Sequence, residues 1–196
     1  KKFQNIKVIG LSIHIGSQLK DFKATYYAIK EMCQIYKQHS LNLDFLNVGG
    51  GLGIYYGPDD HDICSPENYF AQINKAFNEF LKPEEVPEIL FEPGRFITAN
   101  AGLLITKVIR LKSNSVKNFV ITDAGMNDLI RPSLYNAHHE ILPLFKRENK
   151  SELYDIVGPV CETGDFFAQD RQCSEVQKGD YLAIANCGSY ARSMAS

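Results

Sequence analysis

Three apolar runs of strand length, each ending in a polar or glycine-rich tip and separated from the next by a helical pattern, constrain residues 8–95 more than any other feature. Val8 to His14 is the first run. Phe22, Tyr26, Ile29, Cys33 and Tyr36 then recur at helical spacing in a segment ending near His39. Leu43 to Val48 is the second run, closed by Gly49-Gly50-Gly51. Ser65-Pro66-Glu67 is a helix start, with serine as N-cap and proline at the first helical position; Tyr69, Ile73, Phe77 and Phe80 line one face and Lys82-Pro83 ends it. Ile89-Leu90-Phe91 is the third run and leads into Glu92-Pro93-Gly94-Arg95. Strands joined by helices pair in parallel through right-handed crossovers, because a parallel neighbour needs a connection long enough to return the chain. The expected class for this half is α/β.

From about Gly102 the pattern changes. Leu103 to Leu111, Asn118 to Asp123, Leu153 to Cys161 and Tyr181 to Ala185 are short runs rich in β-branched and aromatic residues, with Gly, Asn and Pro between them. We therefore expect an α/β part over 1–101 and an all-β domain over 102–196. With 44% hydrophobic residues, and 21 basic against 23 acidic residues for a net charge of −2, the chain has the makings of a core and lacks a basic field for nucleic acid or an anionic membrane. No apolar run approaches the ~20 residues that span a bilayer, and the first residues lack a signal-peptide core, so a cytoplasmic location is expected. The odd cysteine count (Cys33, Cys64, Cys161, Cys173, Cys187) contains no Cys-x-x-Cys pair, so the thiols read as reduced and a metal site is not expected.

The polar clusters His14-Ile15-Gly16-Ser17-Gln18, Gly49-Gly50-Gly51-Leu52-Gly53 and Glu92-Pro93-Gly94-Arg95 stand at the C-terminal ends of the three strands, the edge where parallel α/β sheets bind ligands. The glycine run reads either as a plain turn or as a phosphate cradle, since no side chain keeps an anion from its N–H groups. Ser17 could add a hydroxyl donor. His14 reads as a hydrogen-bonded core histidine or as a ring that stacks on an aromatic cofactor, and Glu92 with Arg95 as a local ion pair or as part of a site.

Six strings occur in order: His14 to Gln18, Asn47 to Gly53 (Asn-Val-Gly-Gly-Gly-Leu-Gly), Glu92 to Arg95, Asp128 to Tyr135 (Asp-Leu-Ile-Arg-Pro-Ser-Leu-Tyr), Cys161 to Asp165 (Cys-Glu-Thr-Gly-Asp) and Gly188 to Tyr190. In this the chain resembles the diaminopimelate decarboxylases, which belong to the fold-type III, alanine-racemase-like enzymes that use pyridoxal 5'-phosphate. The resemblance implies the last part of an eight-stranded β/α barrel followed by a β domain. It implies that His14 stacks on the cofactor ring, that Ser17, Gly50, Gly51, Pro93, Gly94 and Arg95 surround the phosphate, and that Glu92 bonds the pyridine nitrogen and keeps it protonated. Arg95, Arg131 and Tyr135 resemble the binders of the distal carboxylate of meso-diaminopimelate, and Glu162 its ammonium partner. Tyr190 resembles a tyrosine touching both cofactor and substrate, and Cys161 the residue that returns a proton after carbon dioxide leaves. A head-to-tail homodimer, with Cys161 and Glu162 reaching the partner's site, is also implied. Thr163 stands where the family usually has Ser, and Ser189 where it usually has Ala.

The family's cofactor-binding lysine lies on an early barrel strand. It is expected upstream of Lys1, so the chain reads as a fragment that would not turn over alone. Decarboxylases of ornithine, arginine or a carboxylated polyamine such as carboxynorspermidine share the cofactor residues, but the Arg131 to Tyr135 segment with Glu162 argues against them. An inactive regulatory homologue is the other rival, and Glu92 and Cys161 argue against that. His138-His139-Glu140 lacks the spacing of a helical zinc motif, reads as a solvated or strand-edge pair, and receives no role.

Overall fold

The computed structural model describes residues 4–58, 65–145, 147 and 151–196; Cys64 lies outside them. The chain divides into two compact units, one of residues 1–55 and 60–96, the other of residues 56–59 and 97–196.

In the first unit, β1 (Gly10–Ser12), β2 (Phe45–Gly50) and β3 (Glu88–Glu92) form a parallel sheet in that order. Helices α1 (Lys23–Gln38) and α2 (Pro66–Phe80) make the crossovers. Ser65 caps α2 as the sequence predicts, its side chain accepting from the Asn68 N–H. Their apolar faces bury Ile29, Met32, Cys33, Ile73, Ala76 and Phe77 together with Leu46 and Val48 of β2, and the Phe22 and Tyr69 rings meet edge-on at 5.0 Å. Each of the larger aliphatic and phenylalanine side chains among them contributes about 1.5–3 kcal/mol through removal from water. The apolar run predicted as a strand over Val8 to His14 pairs over only three residues: β1 is bonded on one side alone, and Val8 is 61% exposed. Conversely, β2 continues past the predicted Val48 end into Gly49 and Gly50, with a register shift between Asn47 and Gly50.

The second unit holds a six-stranded sheet in the order β6-β9-β4-β5-β7-β8. Its strands are β4 (Leu104–Ser113), β5 (Asn118–Thr122), β6 (Ile141–Pro143), β7 (Ser151–Val157), β8 (Phe166–Ser174) and β9 (Tyr181–Ile184). All pairs are antiparallel except β5 with β7. The core is Val108, Val120, Leu129, Ile156, Phe167, Leu182 and Ile184. The run predicted to reach Cys161 ends at Val157, where Gly158-Pro159 stops the ladder, because proline has no N–H to give it. The sequence reading missed β8, whose polar centre Gln169-Asp170-Arg171 masks any alternation, and the three-residue β6. Two short helices were also unforeseen: α3 (Gly94–Thr98), and α4 (Arg131–Tyr135) with Pro132 in its first turn and left-handed Asn136 closing it. The α/β-then-β class is borne out, with α4 as a one-turn intrusion.

Ile156, fully buried in β7, and Leu153, 57% exposed on the same strand, test this arrangement. Ile156→Ala should cost about 2–5 kcal/mol through the cavity it leaves, and Leu153→Ala within about 0.5 kcal/mol, read from urea unfolding of the full-length protein.

Candidate active site

In the first unit the three strand tips meet around Gly50. Gly50 pairs in register with Glu92, and a Cβ at Gly50 would run into the Glu92 carbonyl oxygen. The Gly50 N–H points to His14 Nδ1 at 3.4 Å, a long bond that leaves the imidazole proton to Nε2. Gly49, at φ +75°, carries the strand through a left-handed residue while its N–H donates to Asn47 Oδ1 at 2.8 Å. That bond orients the amide, so Asn47 Nδ2 donates to Glu92 Oε1 at 2.6 Å. A bond this short fixes the direction in which the carboxylate points. Asn47 has no role that the sequence alone reveals. Its signal was a polar residue inside an apolar strand run, and it is 8% exposed.

The loop from His14 closes on the glycine run. Leu19 N–H donates to Gly51 O at 2.8 Å, and the Gln18 side chain bonds both the N–H and the C=O of Ile54. Ser17 Oγ accepts from Arg95 Nη2 at 2.7 Å, which leaves the hydroxyl's own hydrogen to donate elsewhere. Arg95 is buried, while His14, Ser17, Glu92 and Gly94 are exposed. Beside Gly94 the position a Cβ would take meets nothing within 4 Å, so a ligand can approach that backbone closely. A cation, a hydroxyl donor and open backbone on one side, with a carboxylate and an imidazole on the other, fit an anionic group attached to a basic aromatic ring. The alternative of a plain Glu92–Arg95 ion pair is not what forms: Glu92 takes Asn47 and Arg95 takes Ser17.

In the second unit, Cys161 and Glu162 occupy the exposed turn between β7 and β8. Asp165, 4% exposed, holds that turn: its two carboxylate oxygens accept from Met126 N–H and Val160 N–H, each at 2.6 Å. Ser133 Oγ donates to Gly164 O, which ties α4 to the same turn. The structure thus brings Arg131, Tyr135, Cys161 and Glu162 onto two linked segments. Tyr135 is 61% exposed, whereas Arg131 is only 7% exposed, its guanidinium carbon 4.5 Å from the Tyr56 ring centre. Tyr190 follows β9 in a left-handed conformation, φ +62°. The neighbouring Ser189 hydroxyl is buried and has no partner among the described residues, in keeping with a position that the resembled family usually fills with Ala. His139 corrects the sequence reading. Of the two alternatives, solvated or strand-edge, the solvated one fails: His139 stands just before β6 and is fully buried, its ring bonded on both sides, to Arg131 Nη1 and to Ala185 O.

Burial separates the thiols. It pushes Cys33 and Cys187 up to about 11 and raises Cys173, whereas Cys161 is exposed. In the full-length protein carrying Cys64→Ser, a disulfide reagent at pH 8 should label Cys161 rapidly, and Cys161→Ser should remove that labelling while Cys33, Cys173 and Cys187 stay slow.

The model of the family described as "Pyridoxal-dependent decarboxylase, C-terminal sheet domain" matches residues 26–188. The chain is 45% identical over 198 residues to the diaminopimelate decarboxylase of Aquifex aeolicus (strain VF5), covering 100% of this chain and 46% of that protein. To the diaminopimelate decarboxylase of Haemophilus influenzae (strain ATCC 51907 / DSM 11121 / KW20 / Rd) it is 45% identical, with 98% and 46% covered. Among solved structures, the diaminopimelate decarboxylase from Helicobacter pylori complexed with L-lysine superposes with a TM-score of 0.85 at 39% identity, covering 96% of this chain and 46% of that one. The chain spans about half the length of the relatives it matches.

Proposed function

This chain belongs to the pyridoxal-dependent decarboxylases that carry a C-terminal sheet domain, and from that premise we propose that the full-length protein decarboxylates meso-diaminopimelate to L-lysine and carbon dioxide. The observation that carries the reading is the meeting of His14, Gly50 and Glu92 at the tips of three parallel strands, with Ser17 bonded to Arg95 beside them.

Pyridoxal 5'-phosphate, when bound, supplies an electron sink for the carbon–carbon bond that breaks. The residues of this chain supply the rest. His14 stacks on the ring. Ser17 Oγ–H, the backbone of Gly50, Gly51, Pro93 and Gly94, and Arg95 surround the phosphate. Glu92, held by Asn47, keeps a proton on the pyridine nitrogen. Arg95, Arg131 and Tyr135 bind the distal carboxylate, and Glu162 accepts from the distal ammonium. Tyr190 borders cofactor and substrate. Cys161 Sγ–H delivers a proton to the carbon that has lost carbon dioxide. We read residues 1–101 as the end of the barrel and 102–196 as the sheet domain, working in the cytoplasm as a homodimer that shares its sites.

A guanidinium matches a carboxylate through paired, charge-assisted bonds of roughly 1.5–3 kcal/mol each. Substrates without the distal carboxylate would leave those donors unsatisfied, which is the basis for rejecting ornithine and arginine. Purified full-length protein with pyridoxal phosphate should release carbon dioxide and lysine from meso-diaminopimelate. Absence of both, with the cofactor demonstrably bound, would overturn the reading. Arg131→Lys keeps the charge but not the fork, and kcat/KM for meso-diaminopimelate should fall about 10- to 150-fold, mainly through KM.

A further inference from the structure

His139 occupies a position that neither the cofactor chemistry nor the substrate contacts use. It follows α4 in the chain and is fully buried; beside a Cys187 Sγ 4.0 Å from Nδ1, its ring nitrogens meet two closer groups whose polarity is fixed. Nδ1 lies 2.8 Å from the carbonyl oxygen of Ala185. A carbonyl only accepts, so Nδ1 carries the hydrogen. Nε2 lies 2.7 Å from Arg131 Nη1. A guanidinium only donates, so Nε2 is the bare nitrogen. The neutral Nδ1–H tautomer alone satisfies both contacts; an imidazolium would set its Nε2–H against a guanidinium N–H and bury two cations side by side. Arg171 stands close by as well, its Nη1 donating to the His139 carbonyl oxygen at 2.8 Å.

The remaining neighbours hold the same arrangement. The Tyr56 ring meets the His139 ring edge-on, centroids 5.2 Å apart at 71°, and its face covers the Arg131 guanidinium. Arg131 is therefore located from two directions at once: an aromatic face sets the plane of the fork, and an imidazole nitrogen sets its rotation within that plane. Buried polar groups with one satisfiable protonation state specify geometry better than exposed ones. A recognition group whose orientation is settled before the ligand arrives does not lose that freedom on binding.

We propose that His139 is a positioning residue for Arg131, anchored to the β9 end through Ala185 and holding the guanidinium in the orientation that meets the distal carboxylate of the substrate. The assignment rests on the reading of Arg131 as a carboxylate binder. His139 touches no substrate in this scheme; it acts through Arg131. The loss of Nε2 as an acceptor therefore weakens recognition of a dicarboxylic substrate and leaves cofactor binding as it was.

The test uses the full-length protein loaded with pyridoxal phosphate. His139→Gln can return an acceptor to the Nε2 position, whereas His139→Asn reaches only the Nδ1 position. We expect kcat/KM for meso-diaminopimelate to stay within about threefold in His139→Gln and to fall at least tenfold in His139→Asn through KM, with the Kd for pyridoxal phosphate unchanged in both. In an Arg131→Lys background, His139→Asn should change kcat/KM by less than about twofold, because coupled residues are non-additive. Equal losses in the two variants, a loss seen in cofactor Kd, or additive losses with Arg131→Lys would overturn the proposal. Nitrogen-15 spectra of labelled histidine give a readout independent of activity: a neutral Nδ1–H signal at pH 7 that His139→Gln removes supports the pairing, and an imidazolium or Nε2–H signal refutes it. The same spectra decide if His139→Asn does not fold. Wild-type protein inert toward meso-diaminopimelate would instead strike the proposed function, with the imidazole signal still judging the pairing.

Discussion

The pairing of Gly50 with Glu92 is the constraint on which the first unit's site depends. Parallel strands stand a fixed distance apart, and at this point the space a side chain would need is taken by the Glu92 carbonyl. Only a residue without a Cβ lets β2 run to its tip alongside β3. With the strands locked together there, the Gly49 N–H turns Asn47 toward Glu92 and the Gly50 N–H meets His14. The carboxylate, the imidazole and the open backbone at Gly94 thus take their places from backbone geometry, which is stiffer than any side-chain rotamer.

The second unit reaches the same end by a different device. Cys161 and Glu162 stand on an exposed turn, where loops are ordinarily mobile. Here the turn is fastened by one buried carboxylate: Asp165 gathers the N–H groups of Met126 and Val160, and its own backbone bonds Gly158. Ser133 fastens α4 to the turn from the other side. The exposed Cys161 and Glu162 are thus held in place by neighbouring side chains, and the buried Arg131, between Tyr56 and His139, is the same principle applied to a charge.

Much of this was legible beforehand. Two helices and three parallel strands of the first unit followed from spacing, capping and crossover length, since each depends on neighbours in sequence. The positions of His14, Ser17, Glu92 and Arg95 at one sheet edge followed from the same topology. Asn47, Asp165 and His139 stand in plain view in the sequence, yet their parts are not readable from it. Each is bonded to a partner 35 or more residues away: Asn47 to Glu92, Asp165 to Met126, His139 to Ala185. The strand β8 was hidden for a related reason, because its polar centre is accommodated by neighbours that only the finished sheet supplies.

The sequence by itself determined the order of elements, the class of each half and the set of polar residues available at the strand tips, because periodicity and turn chemistry are local properties of the chain. Tertiary structure decided which of those residues are paired with one another, where Glu92 turns to Asn47 rather than Arg95, and whether a histidine is solvated or buried. Those outcomes depend on which backbone and side-chain groups arrive within bonding distance from remote parts of the chain, and no local pattern encodes that distance.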